Sequence, residues 1–149
     1  VPLEVIIRNV AAGHFSLRMG VPEGKEFKTP ILEFSYKNDD LHDPFINHYY
    51  ALALGLATQQ EIDTITKYAF AVNEQLKKIM ADVNIKLVDF KLEFGRLPDG
   101  TIILADEISP DTCRFWDATT GAHLDKDLFR RGLGGEEAAY QEVMSRLLG

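Results

Sequence analysis

The stretches VDFKLEFG (88–95) and LADEISPDTCRFWD (104–117), separated by the turn residues LPDG (97–100), decide how this chain is read. In the first, Asp89, Lys91 and Glu93 alternate with Phe90, Leu92 and Phe94. Strand side chains alternate between faces, so the charged residues share one face and the apolar ones the other. Both stretches read as strands of one hairpin. Closing it with Arg96 opposite Thr101 around residues 97–100 sets Asp106 opposite Lys91. A slip of one residue would turn Asp106 toward the apolar face, which is costly. Asp89, Glu93 and Asp106 then surround one lysine, an arrangement suited to a divalent cation. Carboxylates this close raise one another's pKa unless a cation keeps them ionised. Magnesium would do so, since it prefers carboxylate oxygens and completes its shell with water and phosphate. The same pattern also describes the solvated face of an antiparallel sheet, and both readings stand at this point.

Outward from the hairpin, the chain mixes strands and helices. PLEVIIRNV (2–10) and ILEFSYK (31–37) read as strands, with a short helix over 14–19 between them. The polar segment from Val21 to Pro30 and the Asx-rich KNDDLHDPFIN (37–47) read as loops. The clearest helix covers 59–80: Thr58 and Glu61 form a capping box. Ile62, Ile65, Ala69, Val72, Leu76 and Ile79 follow at helical spacing and predict its core-facing stripe. After the basic turn DKDLFRR and the break at Gly134-Gly135, a last helix covers 136–148, with Tyr140, Val143, Met144 and Leu147 inward. The elements show no regular βαβ alternation, so the fold class is α+β, a mixed sheet with flanking helices. Residues 1–149 form one compact unit in this reading, long enough to bury a core.

Bulk properties narrow the function. The net charge of −7 argues against nucleic acid as the main partner, because phosphate backbones demand basic surface. The apolar runs fall well short of a membrane span and no secretory signal is visible. Cys113 is the single cysteine, so no disulfide framework exists and a cytoplasmic setting is expected. The opening Val1-Pro2, without methionine, suggests a piece of a longer protein or a processed one.

Anion-binding candidates lie around the hairpin. Arg8 ends a strand and precedes Ala11-Ala12-Gly13-His14, a small-residue turn into a helix start, where an arginine could clasp a phosphate. Arg114, Lys126 and Arg130 are further candidates, although such a residue taken alone is more often a surface charge. The histidines show no zinc-ligand spacing, and neither a P-loop nor a G-x-G-x-x-G motif is present.

VPLEVIIRNVAAG (1–13), VDFKLEFG, LADEISPDTCRFWD and LDKDLFRRGLGG (124–135) resemble, in order and spacing, the SAICAR synthetase family. The resemblance runs from Val1 to Gly149 and matches the larger C-terminal part of that family's chain, without its N-terminal nucleotide-binding lobe. It implies an ATP-grasp-like α+β fold, incomplete without that lobe. It also implies a ligase of purine biosynthesis that joins L-aspartate to carboxyaminoimidazole ribonucleotide (CAIR) using ATP and Mg²⁺.

By the same resemblance, Glu93 and Asp106 hold magnesium on the ATP phosphates, with Asp89 as ligand or neighbour and Lys91 stabilising transferring charge. Arg8 and Arg114 clamp the ribonucleotide 5′-phosphate. Lys37, Asp43, Asp111, Lys126 and Arg130 line the substrate region. His14 stands where the family has serine, and either replaces its hydroxyl as a donor or weakens the site. The resemblance further implies homo-oligomers, and poor ATP binding with little synthetase activity for these 149 residues alone. Two other functions remain open: a non-catalytic ribonucleotide-phosphate binding module and, from the acidic hairpin alone, a magnesium-dependent phosphohydrolase.

Overall fold

The structure, a computed structural model, describes residues 1–125 and 136–149, with the side chains of 136–139 left aside. The basic turn after Asp125, with Lys126 and Arg130, and the break at Gly134-Gly135 lie outside the described residues. The chain runs β1 (Leu3–Val10), α1 (Gly13–Met19), β2 (Glu26–Tyr36), a single 3-10 turn, β3 (Phe45–Ile46) and α2 (His48–Ala53). It continues through α3 (Gln59–Asp82), β4 (Ile85–Arg96), β5 (Ile102–Leu104), β6 (Cys113–Asp117) and α4 (Glu136–Leu148). The sheet order is β3-β2-β1-β4-β5, with β6 beside β5 on the outer edge of β4. All pairings are antiparallel.

One face of this sheet is apolar and packs under α3. Leu3, Val5 and Ile7 of β1 and Phe90, Leu92 and Phe94 of β4 are buried there. From α3 they meet Ile62, Ile65, Ala69, Leu76 and Met80. The predicted stripe is therefore right for most of its length and drifts at the end. Ile79 is exposed, and Met80 takes the inward place. Asn73 is fully buried beside Val72, because its amide exchanges hydrogen bonds with Asn9 at 2.8 and 3.0 Å. A buried amide is tolerable when both its donor and its acceptor are satisfied.

The predicted hairpin register is corrected. Arg96 pairs with Ile102, not Thr101, because the loop runs from Leu97 to Thr101. Asp99 accepts a hydrogen bond from the Thr101 N–H, and Gly100 adopts φ +90°, so Thr101 stays in the turn. The shift buries Ile102 against the core, and β5 ends at Leu104, so Asp106 escapes the apolar face by leaving the sheet. The second predicted strand is accordingly two strands. β5 covers β4 as far as Glu93, whose carbonyl accepts from Ala105 N–H, and β6 takes over at Lys91, whose N–H donates to Thr112. A loop carrying Asp106 and Asp111 springs out between them.

Two other loops hold structure that local patterning hides. The N-terminal half of β2 occupies part of the expected 21–30 loop, and α2 follows Asn47, whose side chain caps Tyr50 N–H. At the C-terminus, Val143 is buried as expected, whereas Met144 and Leu147 are exposed. Arg146 of α4 bonds Asp117 at 2.6 Å and the Asn84 carbonyl at 3.2 Å. No described helix is long and apolar enough to cross a membrane.

The capping box of α3 also ties helix to sheet. Glu61 bonds Thr58 N–H through one oxygen and Arg96 of β4 through the other. The Arg96 hydrogen bond, followed by that to Thr58, lowers the Glu61 pKa from 4.5 to about 2. A depressed folded-state pKa stabilises above the ordinary value and loses that contribution as pH falls through the lowered one. Glu61→Gln should therefore cost about 1 kcal/mol at pH 7, by denaturant unfolding. The difference from the parent chain should shrink as pH drops from about 4.5 toward 2.

Candidate active site

The polar face of the sheet carries the chemistry. Antiparallel pairing sets Glu4 beside Glu93, Ile6 beside Lys91 and Arg8 beside Asp89, with Ser35 and Glu33 of β2 next to Glu4 and Ile6. On the other edge of β4, Arg114 of β6 pairs with Asp89. The register of β6 slips between Leu87 and Asp89, leaving Val88 as an extra residue. Such a bulge shifts side-chain alternation by one. Ile85 and Leu87 point into the core before it, Phe90 and Leu92 after it, and Asp89 lands on the polar face.

Asp89 is 3% exposed and lies between two guanidiniums. Arg114 Nη1 donates to both its oxygens, at 3.1 and 2.9 Å, and Arg8 Nη1 reaches Oδ2 at 3.4 Å. Arg8 Nη2 donates to Glu33 at 3.2 Å. Gly13, at φ +56°, closes over this pair, and a Cβ there would come within 2.6 Å of Arg114 Nη2. The Ala11-Ala12-Gly13 turn thus lets the backbone rest against Arg114.

The other end of the face is looser. Lys91 sits 3.6 Å from both Glu4 and Glu93, and Lys37 sits 3.6 Å from the second Glu93 oxygen. These ion pairs are long and partly solvated, so the Glu93 carboxylate is free to turn. Asp106 is one residue beyond Ala105, whose N–H donates to the Glu93 carbonyl, and accepts a hydrogen bond from Glu107 N–H.

A cleft of about 390 Å³ joins the two ends. Arg8, His14, Asp43, Asp89, Lys91, Asp111 and Arg114 line it, together with Phe45 and Thr112. Asp43 is held at a tight turn, with φ +47° and its carboxylate on Asn38 N–H. Asp111 is tied to α4: burial first, then the hydrogen bond to Asp111, push the Tyr140 phenol up to about 12. The phenol therefore stays protonated and donates across the neutral range. Lys37 and Glu93 stand at the rim, reaching the cleft through Lys91.

Comparison with known proteins names this arrangement. The profile of the SAICAR synthetase family matches residues 1–147. The chain belongs to the SAICAR synthetase family. It is 60% identical to the phosphoribosylaminoimidazole-succinocarboxamide synthase of Clostridium botulinum (strain Eklund 17B / Type B), covering 99% of this chain and 63% of that protein. Its fold matches a solved SAICAR synthetase in complex with ADP, with TM-score 0.95 and 54% identity over 99% of this chain and 63% of the other. The SAICAR synthetase of Pyrococcus horikoshii OT3 matches with TM-score 0.94 and 54% identity, covering 100% of this chain and 65% of that one. The chain thus spans a little under two thirds of the length of these relatives.

Within this member of the SAICAR synthetase family, the expected trio of carboxylates does not gather. Asp89 and Glu93 are four residues apart on one strand, about 13 Å, and Asp89 faces arginines instead. Among the described residues, no three His, Cys, Asp or Glu side chains converge on one point. The remaining donors, Glu93 and Asp106, still suit magnesium, which takes one or two carboxylates and fills its shell with water and phosphate oxygens. Glu4 and Glu33 were within reach of sequence reasoning, since each occupies a polar position in an alternating strand. Arg18, Phe45 and Thr112 were not, because only packing brings them to the face.

Asp89→Asn should lower the unfolding free energy by about 3 kcal/mol, since it removes the buried charge that both guanidiniums share. Denaturant unfolding measures this. The magnesium midpoint of the complete protein should not move; a shifted midpoint at unchanged stability would return Asp89 to the metal.

Proposed function

We propose that this chain carries the substrate and magnesium half of an ATP-dependent C–N ligase, which joins L-aspartate to CAIR and releases SAICAR, ADP and phosphate. The single observation behind this reading is the polarity of the cleft. A rigid guanidinium pair, Arg8 and Arg114, stands at one end and an adjustable Lys91–Glu93 pair at the other. The relative bound to ADP supports nucleotide use by the family.

The chemistry begins from a poor electrophile. A carboxylate must be activated before an amine can displace one of its oxygens. Transfer of the ATP γ-phosphoryl to the CAIR carboxylate gives an acyl phosphate and ADP. The aspartate amine then attacks the acyl carbon and phosphate leaves. Positioning and charge neutralisation supply most of the rate in such transfers.

Arg8 and Arg114 hold the 5′-phosphate through charge-assisted hydrogen bonds, and the family resemblance assigns Lys126 and Arg130 to the substrate region. His14, exposed at the cleft wall, donates to the same phosphate. Asp43 and Asp111, each restrained by neighbours, orient polar groups of the substrates. Lys91 and Lys37 neutralise charge on the reacting carboxylate and phosphoryl. Glu93 and Asp106 would hold magnesium, which neutralises charge on the ATP phosphates. We also read the complete protein as a cytoplasmic homo-oligomer acting on small molecules, away from nucleic acid and membranes. The net charge of −7 supports the part of this reading that excludes nucleic acid.

The chief test is Glu93→Gln in the complete protein. It should cut kcat by roughly 100-fold or more and weaken magnesium dependence, with an unchanged melting profile. An undiminished kcat removes the metal role. His14→Ser should change the KM for CAIR, because it exchanges an imidazole donor for a shorter hydroxyl. The same KM at every pH would take His14 off the phosphate.

A further inference from the structure

Arg8 does not stand alone behind the cleft. Its side chain is 6% exposed, and both its terminal nitrogens are engaged by carboxylates, Asp89 on one side and Glu33 on the other. Glu33 is itself shared. Its Oε2 takes Arg8, and its Oε1 takes Arg18 Nη2 at 3.0 Å. Arg18, on α1, is stacked over the Phe45 ring at 4.3 Å and lies 5.8 Å from Phe15, the ring that also sits beneath Arg8 at 5.4 Å. The result is an alternating chain: Arg114, Asp89, Arg8, Glu33, Arg18.

Two consequences follow from elementary electrostatics. First, the Glu33 carboxylate beside Arg8 opposes an approaching anion, and Arg18 offsets that charge by pairing with its other oxygen. Second, without Arg18 the Glu33 carboxylate would be held by Arg8 alone, and Arg8 would have a less fixed partner. Arg18 does not line the cleft. Among the described residues, its one charged link to Arg8 is Glu33, with the Phe15 and Phe45 rings packed alongside.

We propose that Arg18 and Glu33 are positioning residues for Arg8, forming a relay that sets its orientation and the net charge offered to the ribonucleotide 5′-phosphate. This rests on the reading of Arg8 and Arg114 as the phosphate clamp. The relay explains why a half-buried glutamate is placed beside an arginine meant for an anion: unneutralised, Glu33 would repel the phosphate. It also couples the α1 segment to affinity for the substrate without a direct contact.

Steady-state kinetics of the complete protein test this with four single variants and one double. Arg18→Gln should raise the KM for CAIR by roughly tenfold, while kcat and the KM for ATP stay within about twofold. Arg18→Lys, which keeps the charge, should recover most of the loss. In a Glu33→Gln background, Arg18→Gln should add less than about twofold, because the path between Arg18 and Arg8 is already cut. Arg8→Gln tests the clamp itself and should raise the same KM more than Arg18→Gln does. Arg18→Gln without effect, or additive with Glu33→Gln, overturns the relay while leaving the clamp standing. Arg8→Gln without effect removes the clamp and the relay together. Equal losses for CAIR and ATP, with a lowered melting temperature, would mark Arg18 as merely structural and overturn the proposal.

Discussion

The buried carboxylate of Asp89 between Arg8 and Arg114 is the constraint on which the rest of this face depends. Three charges inside a sheet are costly unless their geometry satisfies one another. Here each comes from a different strand: Arg8 from β1, Asp89 from β4 and Arg114 from β6. The ion pairs therefore also hold the sheet in register. The bulge at Val88 is what turns Asp89 toward the arginines. Gly13 is what lets the chain close over them, since any side chain at that point would collide with Arg114. A local kink and a missing Cβ thus serve one ion triad.

From that triad the face grades into something softer. Lys91, Lys37, Glu4 and Glu93 are separated by 3.6 Å contacts and remain partly wet. Such pairs add little stability and can be exchanged for a ligand or a cation at small cost. The contrast suits the proposed chemistry, in which one end must grip a phosphate that never changes and the other must follow a phosphoryl group in transit. The loop between β5 and β6 leaves the sheet at the boundary between these ends. It delivers Asp106 toward the soft end and Asp111 to the cleft wall, with Tyr140 of α4 fixing the latter.

Local sequence patterns carried much of this. The alternation in β4 assigned Asp89, Lys91 and Glu93 to one face, because strand geometry has a period of two and burial enforces it. The capping box of α3 was equally legible, since its hydrogen bonds span only three residues. The hairpin register was not: an Asx turn at Asp99 and a left-handed Gly100 kept one more residue in the loop than simple counting allows. Ile102 gained a buried place by that shift, and Asp106 left the sheet altogether.

The sequence alone determined which residues are polar on a common face, where the main helix starts, and to which family the motifs belong, because each of these is written in short-range periodicity or in motif order. Only the tertiary structure decided how the charges pair. Asp89 could have faced Glu93 and a cation or the two arginines. The choice lies with a bulge in β4 and with strands contributed from 81 and 25 residues away along the chain. Pairing across such distances depends on register and close approach of backbone, and no local pattern encodes either.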